Sequence, residues 1–119
     1  MPKPDVELEQ RYAVGGKDVR LSITIGEGQL GRSAVSLGSQ LLVRASDAIG
    51  GLLLGSGTDL LEEELRVDTV VLDVNGLTNR MSVTYRLEGG KASKAWLAKG
   101  KVQSANDTLF FRATFSFTK

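Results

Sequence analysis

Cysteine and histidine are both absent from this chain. Without cysteine there are no disulfides, no thiolate nucleophile and no cysteine-ligated metal. Without histidine the commonest general acid–base and the commonest zinc ligand are missing as well. No apolar run approaches the roughly 20 residues that a membrane helix needs. The first residues, Met1 to Pro4, hold both prolines and read as a short extended lead-in. No basic segment followed by an apolar stretch marks a secretory signal there, so the expected location is cytoplasmic. Aromatic residues are few, seven in all, and three of them crowd into residues 110–115. The formal net charge of +1 gives no overall attraction to nucleic acid or to an anionic membrane, and neither is expected as a partner.

What is present is alternation. In residues 108–117, Leu109, Phe111, Ala113, Phe115 and Phe117 share one parity, with Arg112, Thr114 and Ser116 on the other. Period two over that length is a half-buried strand. Met81, Val83, Tyr85 and Leu87 alternate with Arg80, Ser82, Thr84 and Arg86, and Val19, Leu21, Ile23 and Ile25 alternate with Arg20, Ser22 and Thr24. Residues 65–74 are apolar and β-branched enough to predict a strand buried on more than one side. Val6, Leu8, Tyr12 and Val14 suggest a first strand, expected to form a hairpin with the second across Gly15-Gly16-Lys17-Asp18. Asn75-Gly76, Glu88-Gly89-Gly90 and residues 104–107 are turn sequences.

Residues 32–54 admit two readings. Leu37, Leu41, Ala45 and Ile49 recur every four residues, as on a helix. Gly38 would cost that helix about 1 kcal/mol, and the surroundings are β-rich, so strands are favoured. Further on, Asp59 as N-cap with Glu62 three residues later predicts a short helix running to Leu65. The fold expected is a single all-β domain over 1–119, an antiparallel meander of seven or eight strands closed as a barrel or packed as a two-layer sandwich.

Motifs for chemistry are weak. Gly26-Glu27-Gly28-Gln29-Leu30-Gly31 matches the glycine pattern of dinucleotide sites, but the strand before it alternates, unlike a strand buried on both faces of a parallel sheet. A glycine-rich turn is expected there. Asp73-Val74-Asn75-Gly76 resembles part of a calcium loop, yet Thr84 stands where the closing glutamate belongs. Ser116-Phe117-Thr118-Lys119 fits Ser-x-x-Lys without its companion motifs, and Asn106-Asp107-Thr108 is a glycosylation sequon that matters only in a secretory compartment. Adjacent carboxylates at Glu62, Glu63 and Glu64 are poorly placed to act as an acid–base pair across a cleft. No catalytic residue, cofactor or metal is expected.

Three segments remain as candidate partner-binding sites. Leu52, Leu53 and Leu54, framed by glycines, could be offered to another chain. Lys91 and Lys94 beside Trp96, the only tryptophan, form a basic segment. Glu62, Glu63 and Glu64 form the densest acidic cluster, and from Arg80 onward eight Lys/Arg face only Glu88 and Asp107. The two charged regions could complement each other within one copy or between copies. These features predict a non-catalytic binding or assembly module engaging a protein partner, or another copy of itself, through a sheet edge or the Gly/Leu segment. The alternative is a carrier holding a small apolar ligand inside a barrel.

Overall fold

In a computed structural model, which describes residues 3–119, the alternating segments are strands. Met1 and Pro2 of the expected lead-in lie outside the described residues. The strands are β1 (Val6–Ala13), β2 (Asp18–Gly26), β3 (Leu30–Leu37), β4 (Gln40–Ser46), β5 (Ile49–Ser56), β6 (Glu64–Leu72), β7 (Arg80–Glu88), β8 (Lys94–Lys101) and β9 (Thr108–Thr118). A single helical turn, α1 (Gly57–Leu60), sits between β5 and β6. Five strands form one sheet in the order β1-β9-β6-β3-β4, and four form the other in the order β5-β2-β7-β8.

The fold is therefore all-β and two-layered, with open sheets. The core-facing sets are those the period predicts: Val19, Leu21 and Ile23 on β2, Met81, Val83, Tyr85 and Leu87 on β7, and Phe111, Ala113, Phe115 and Phe117 on β9, all buried. Two sheets each apolar on one face bury those faces against one another.

The connections differ from a simple meander. Of the successive strands, β2 does not pair with β1, and only β3–β4 and β7–β8 are hydrogen-bonded neighbours in the sheet order. The expected hairpin of the first two strands is replaced by a parallel pairing of β1 with β9, in which Val6 lies opposite Phe111 and Leu8 opposite Ala113. Val14 is buried, and its N–H donates to the Thr118 carbonyl at 2.7 Å. The strand thus continues along β9 before the glycines carry the chain into the second sheet.

Residues 32–54 fold as strands. Gly38 stands in the two-residue loop between Leu37 and Gln40 with φ of 60°, which is why a glycine stands there. Glu27 and Gly28, at φ 62° and 68°, make the tight connection from β2 to β3, and the Gln29 N–H reaches the Gly26 carbonyl at 3.3 Å. A strand follows this turn, so the glycines sit at no helix N-terminus.

The helix starts earlier than expected. Ser56 caps it, its Oγ accepting from the Asp59 N–H at 3.2 Å, and Asp59 lies in the first turn. Glu62 and Glu63 fall after it and Glu64 opens β6. A serine three residues before an acidic group competes successfully with Asp59 for the capping position.

Candidate functional site

Strand β6 was expected to be buried on more than one side. Leu65, Val67, Thr69 and Val71 do face the core, but the opposite set does not: Val70 is 46% exposed and Leu72 36%. This strand is central in the five-stranded sheet, and among the described residues no second layer covers the sheet's outer face. Leu30 pairs with Leu72, and Phe110 with Val70, so four apolar residues form a stripe across that face. Exposed apolar groups in a contiguous patch call for an explanation in a way that scattered ones do not.

Charged rows flank the stripe. Register places Glu7, Arg112, Asp68, Ala34 and Arg44 side by side across the five strands. The next row on this face holds Phe110, Val70, Arg32 and Ser46, with Asp5 accepting from the Phe110 N–H through Oδ2 at 2.8 Å. Asp68 is shared by two arginines: Arg112 donates from Nε at 2.8 Å and Arg66 lies at 3.5 Å. The hydrogen bond to Asp68 raises the Arg112 guanidinium above its ordinary pKa, and the same guanidinium lies 5.3 Å from the centre of the Phe110 ring. Arg32 and Arg44 make no ion pair among the described residues. They line a groove of about 760 Å³ together with Ala34, Asp68, Val70 and Phe110, and a smaller depression beside Leu30 and Leu72 continues it.

Four strands are edges, and they differ in how they are protected. The ladder between β2 and β5 has two irregularities, and β5 carries Gly51 and Gly55 at positive φ. Lys94, Lys99 and Lys101 stand along β8. Bulges and lysines are two of the devices that keep edges from pairing. Strand β1 alternates acid with apolar residues as Glu7, Leu8 and Glu9. Strand β4 is the least guarded: its sequence, Gln-Leu-Leu-Val-Arg-Ala-Ser, has no proline and one charge, Arg44, though a one-residue irregularity lies near Leu42.

The segments expected from the sequence are held apart. Leu52, Leu53 and Leu54 lie on β5; Leu54 is buried in the core, Leu52 packs against it, and Leu53 alone of the three is 48% exposed. Lys94 and Trp96 lie on β8, at the opposite edge of the same sheet. Trp96 turns inward, its ring 5.0 Å from Phe115 and 6.2 Å from Tyr12, and so helps close the gap between β8 and β1. Lys91 stands in the β7–β8 loop, its N–H donating to the Ala13 carbonyl at 3.0 Å. Glu62, Glu63 and Glu64 are exposed and form no ion pair with the basic segment among the described residues.

Two buried polar side chains do structural work. The Tyr12 hydroxyl accepts from the Gly90 N–H at 3.0 Å and lies 2.6 Å from the Ala92 carbonyl, tying the β7–β8 loop to β1. Gln29 Oε1 accepts from the N–H groups of Val74 and Asn75, while Nε2 donates to the carbonyls of Thr78 and Arg80. Among the described residues no cluster of acidic groups could hold a metal ion, and no helix is long and apolar enough to cross a membrane.

Comparison with family models, curated proteins and solved structures returns no match for this chain.

Proposed function

We propose that the chain is a non-catalytic binding or assembly module that engages a protein partner, or another copy of itself, by adding a strand to the β4 edge of the five-stranded sheet. One observation carries this reading. Strand β4 is hydrogen-bonded on one side only, lacks proline and lysine, and borders an exposed apolar groove. A strand added there would make main-chain hydrogen bonds along the edge, while its alternate side chains lie over the groove or against the core rim.

Leu41 is the natural probe, because it is an exposed β4 side chain and a lysine in its place costs the fold little. In light scattering after size exclusion, the wild-type chain is expected to gain mass with concentration and Leu41→Lys to stay smaller under the same conditions. Association equal in the two proteins, or none in the wild type, overturns self-association through this edge.

A second reading has its own observation. The sheets remain open, so no barrel interior is available to a ligand. The outer groove, with Arg32 and Arg44 over Val70 and Phe110, suits a small amphipathic anion. Titration with a medium-chain fatty acid, followed by the amide signals of these residues, tests it; shifts confined to the groove support it, and their absence excludes it.

A further inference from the structure

We propose that copies of this chain join head to tail, β1 of one copy pairing antiparallel with β4 of the next, so that the five-stranded sheet continues from molecule to molecule. This rests on the preceding reading that β4 is an association edge, and it names the occupant.

Strand direction is the first support. Strand β1 runs parallel to β9, and β9, β6, β3 and β4 are successively antiparallel. Consequently β1 and β4, the two outermost strands of the sheet, run in opposite directions. A copy displaced sideways therefore sets its β1 antiparallel to β4, the more stable of the two pairings. Among the described residues both strands are hydrogen-bonded on one side only.

Side-chain pattern is the second, independent support. On β4, Val43 and Ala45 share the core parity of their partners Val35 and Ser33, while Arg44 lies on the outer face opposite Ala34. On β1, Val6 and Leu8 share the core parity of Phe111 and Ala113, while Glu7 lies outside opposite Arg112. One register satisfies both faces at once: Glu7 of the partner copy opposite Arg44, with the partner's Val6 opposite Ala45 and the partner's Leu8 opposite Val43. Asp5 of the partner copy then lies diagonal to Arg44, within reach of a long side chain. Glu7 and Glu9 make no ion pair within their own chain among the described residues, and neither does Arg44.

Symmetric alternatives fit less well. Pairing β4 with β4 about a twofold axis brings Arg44 toward its own copy. Pairing β1 with β1 about Glu9 sets Glu7 against Arg11, but it also sets the Glu9 carboxylate against itself and Leu8 against Gln10, and it leaves β4 uncovered. Like charges directly opposite are destabilising, and so is the loss of the apolar match. A head-to-tail contact leaves one free β4 and one free β1 at the ends, so growth continues. Normal strand twist over five strands turns each copy by roughly 100°, which gives an open helical array.

Charge reversal tests the proposal. Arg44 and Glu7 are both exposed, so Arg44→Glu and Glu7→Arg should each fold, which circular dichroism verifies. In sedimentation velocity each single variant is expected to lose association by roughly tenfold, because an opposed pair becomes a like-charge pair. The double variant Glu7→Arg with Arg44→Glu restores the opposed pair at every contact and should recover the wild-type mass distribution, as should an equimolar mixture of the two single variants. Recovery supports the β1–β4 contact. Loss in the singles without recovery in either rescue, or association unaffected by the singles, overturns it. The β4-edge reading stands in either case if Leu41→Lys still abolishes association.

Discussion

Tyr85 lies wholly in the core, and among the described residues its hydroxyl makes no hydrogen bond of good geometry, although the Thr69 side chain is a polar neighbour. Burial raises the phenol well above its ordinary value of 10.0, the polar Thr69 side chain offsets part of this, and the Asp68 carboxylate adds to it. Below the unfolded value both states are protonated and the contribution is complete; as pH rises past that value the unfolded chain loses its proton first, and stability falls. Wild-type chain is therefore expected to lose thermal stability from about pH 10 upward more steeply than Tyr85→Phe, measured by melting at increasing pH. Gln29 is the opposite case, a buried amide with all four positions used. Gln29→Ala leaves the N–H groups of Val74 and Asn75 without their acceptor and should cost about 2–4 kcal/mol in urea unfolding. Tyr85 was legible as a core-facing residue of its strand, but the role of Gln29 was not. An isolated glutamine after a glycine turn carries no signal of what will close around it.

At the scale of elements, the junction of β5 and α1 depends on Gly57, which is buried. A Cβ added there would meet the Gly15 carbonyl and lie 2.8 Å from the Val14 Cβ, whereas one added at Gly50 meets nothing. Gly57→Ala is expected to lower stability by about 2 kcal/mol or more, and Gly50→Ala to change it by less than about 1 kcal/mol, in the same unfolding experiment. Strands β2, β7 and β9 were legible because alternation over seven or more residues reports a buried face directly, and Gly38, read as unfavourable to a helix, stands between β3 and β4. Their neighbours were not legible. Period two says which residues share a face but not which strand lies alongside, and the parallel pair of β1 with β9 joins residues about a hundred positions apart. Val70 and Leu72 read as buried because composition alone does not distinguish a second layer from an uncovered apolar stripe.

For the whole molecule, charge segregation along the chain is the feature that suggests association, and in the proposed contact the complementary charges lie elsewhere than the sequence led one to expect. Glu62, Glu63 and Glu64 stay clear of Lys91 and Lys94, while Glu7 and Arg44 occupy opposite ends of one sheet. The pattern that the proposal uses is Asp5-Val6-Glu7-Leu8-Glu9, acid on one parity and apolar on the other. It gained meaning only once β1 and β4 were known to be the two edges. A contact carried partly by exposed charge is screened by salt, so association should weaken as ionic strength rises through the physiological range. Sedimentation at low and high salt checks this.

Backbone hydrogen exchange at low micromolar and near-millimolar concentration tests the central claim most directly, because it reads the edges themselves. The account predicts that at the higher concentration amides of Gln40–Ser46 gain protection, and that those of Val6–Ala13 gain it with them. Amides of β4 that exchange at the same rate at both concentrations would contradict the claim that this edge is where the molecule binds.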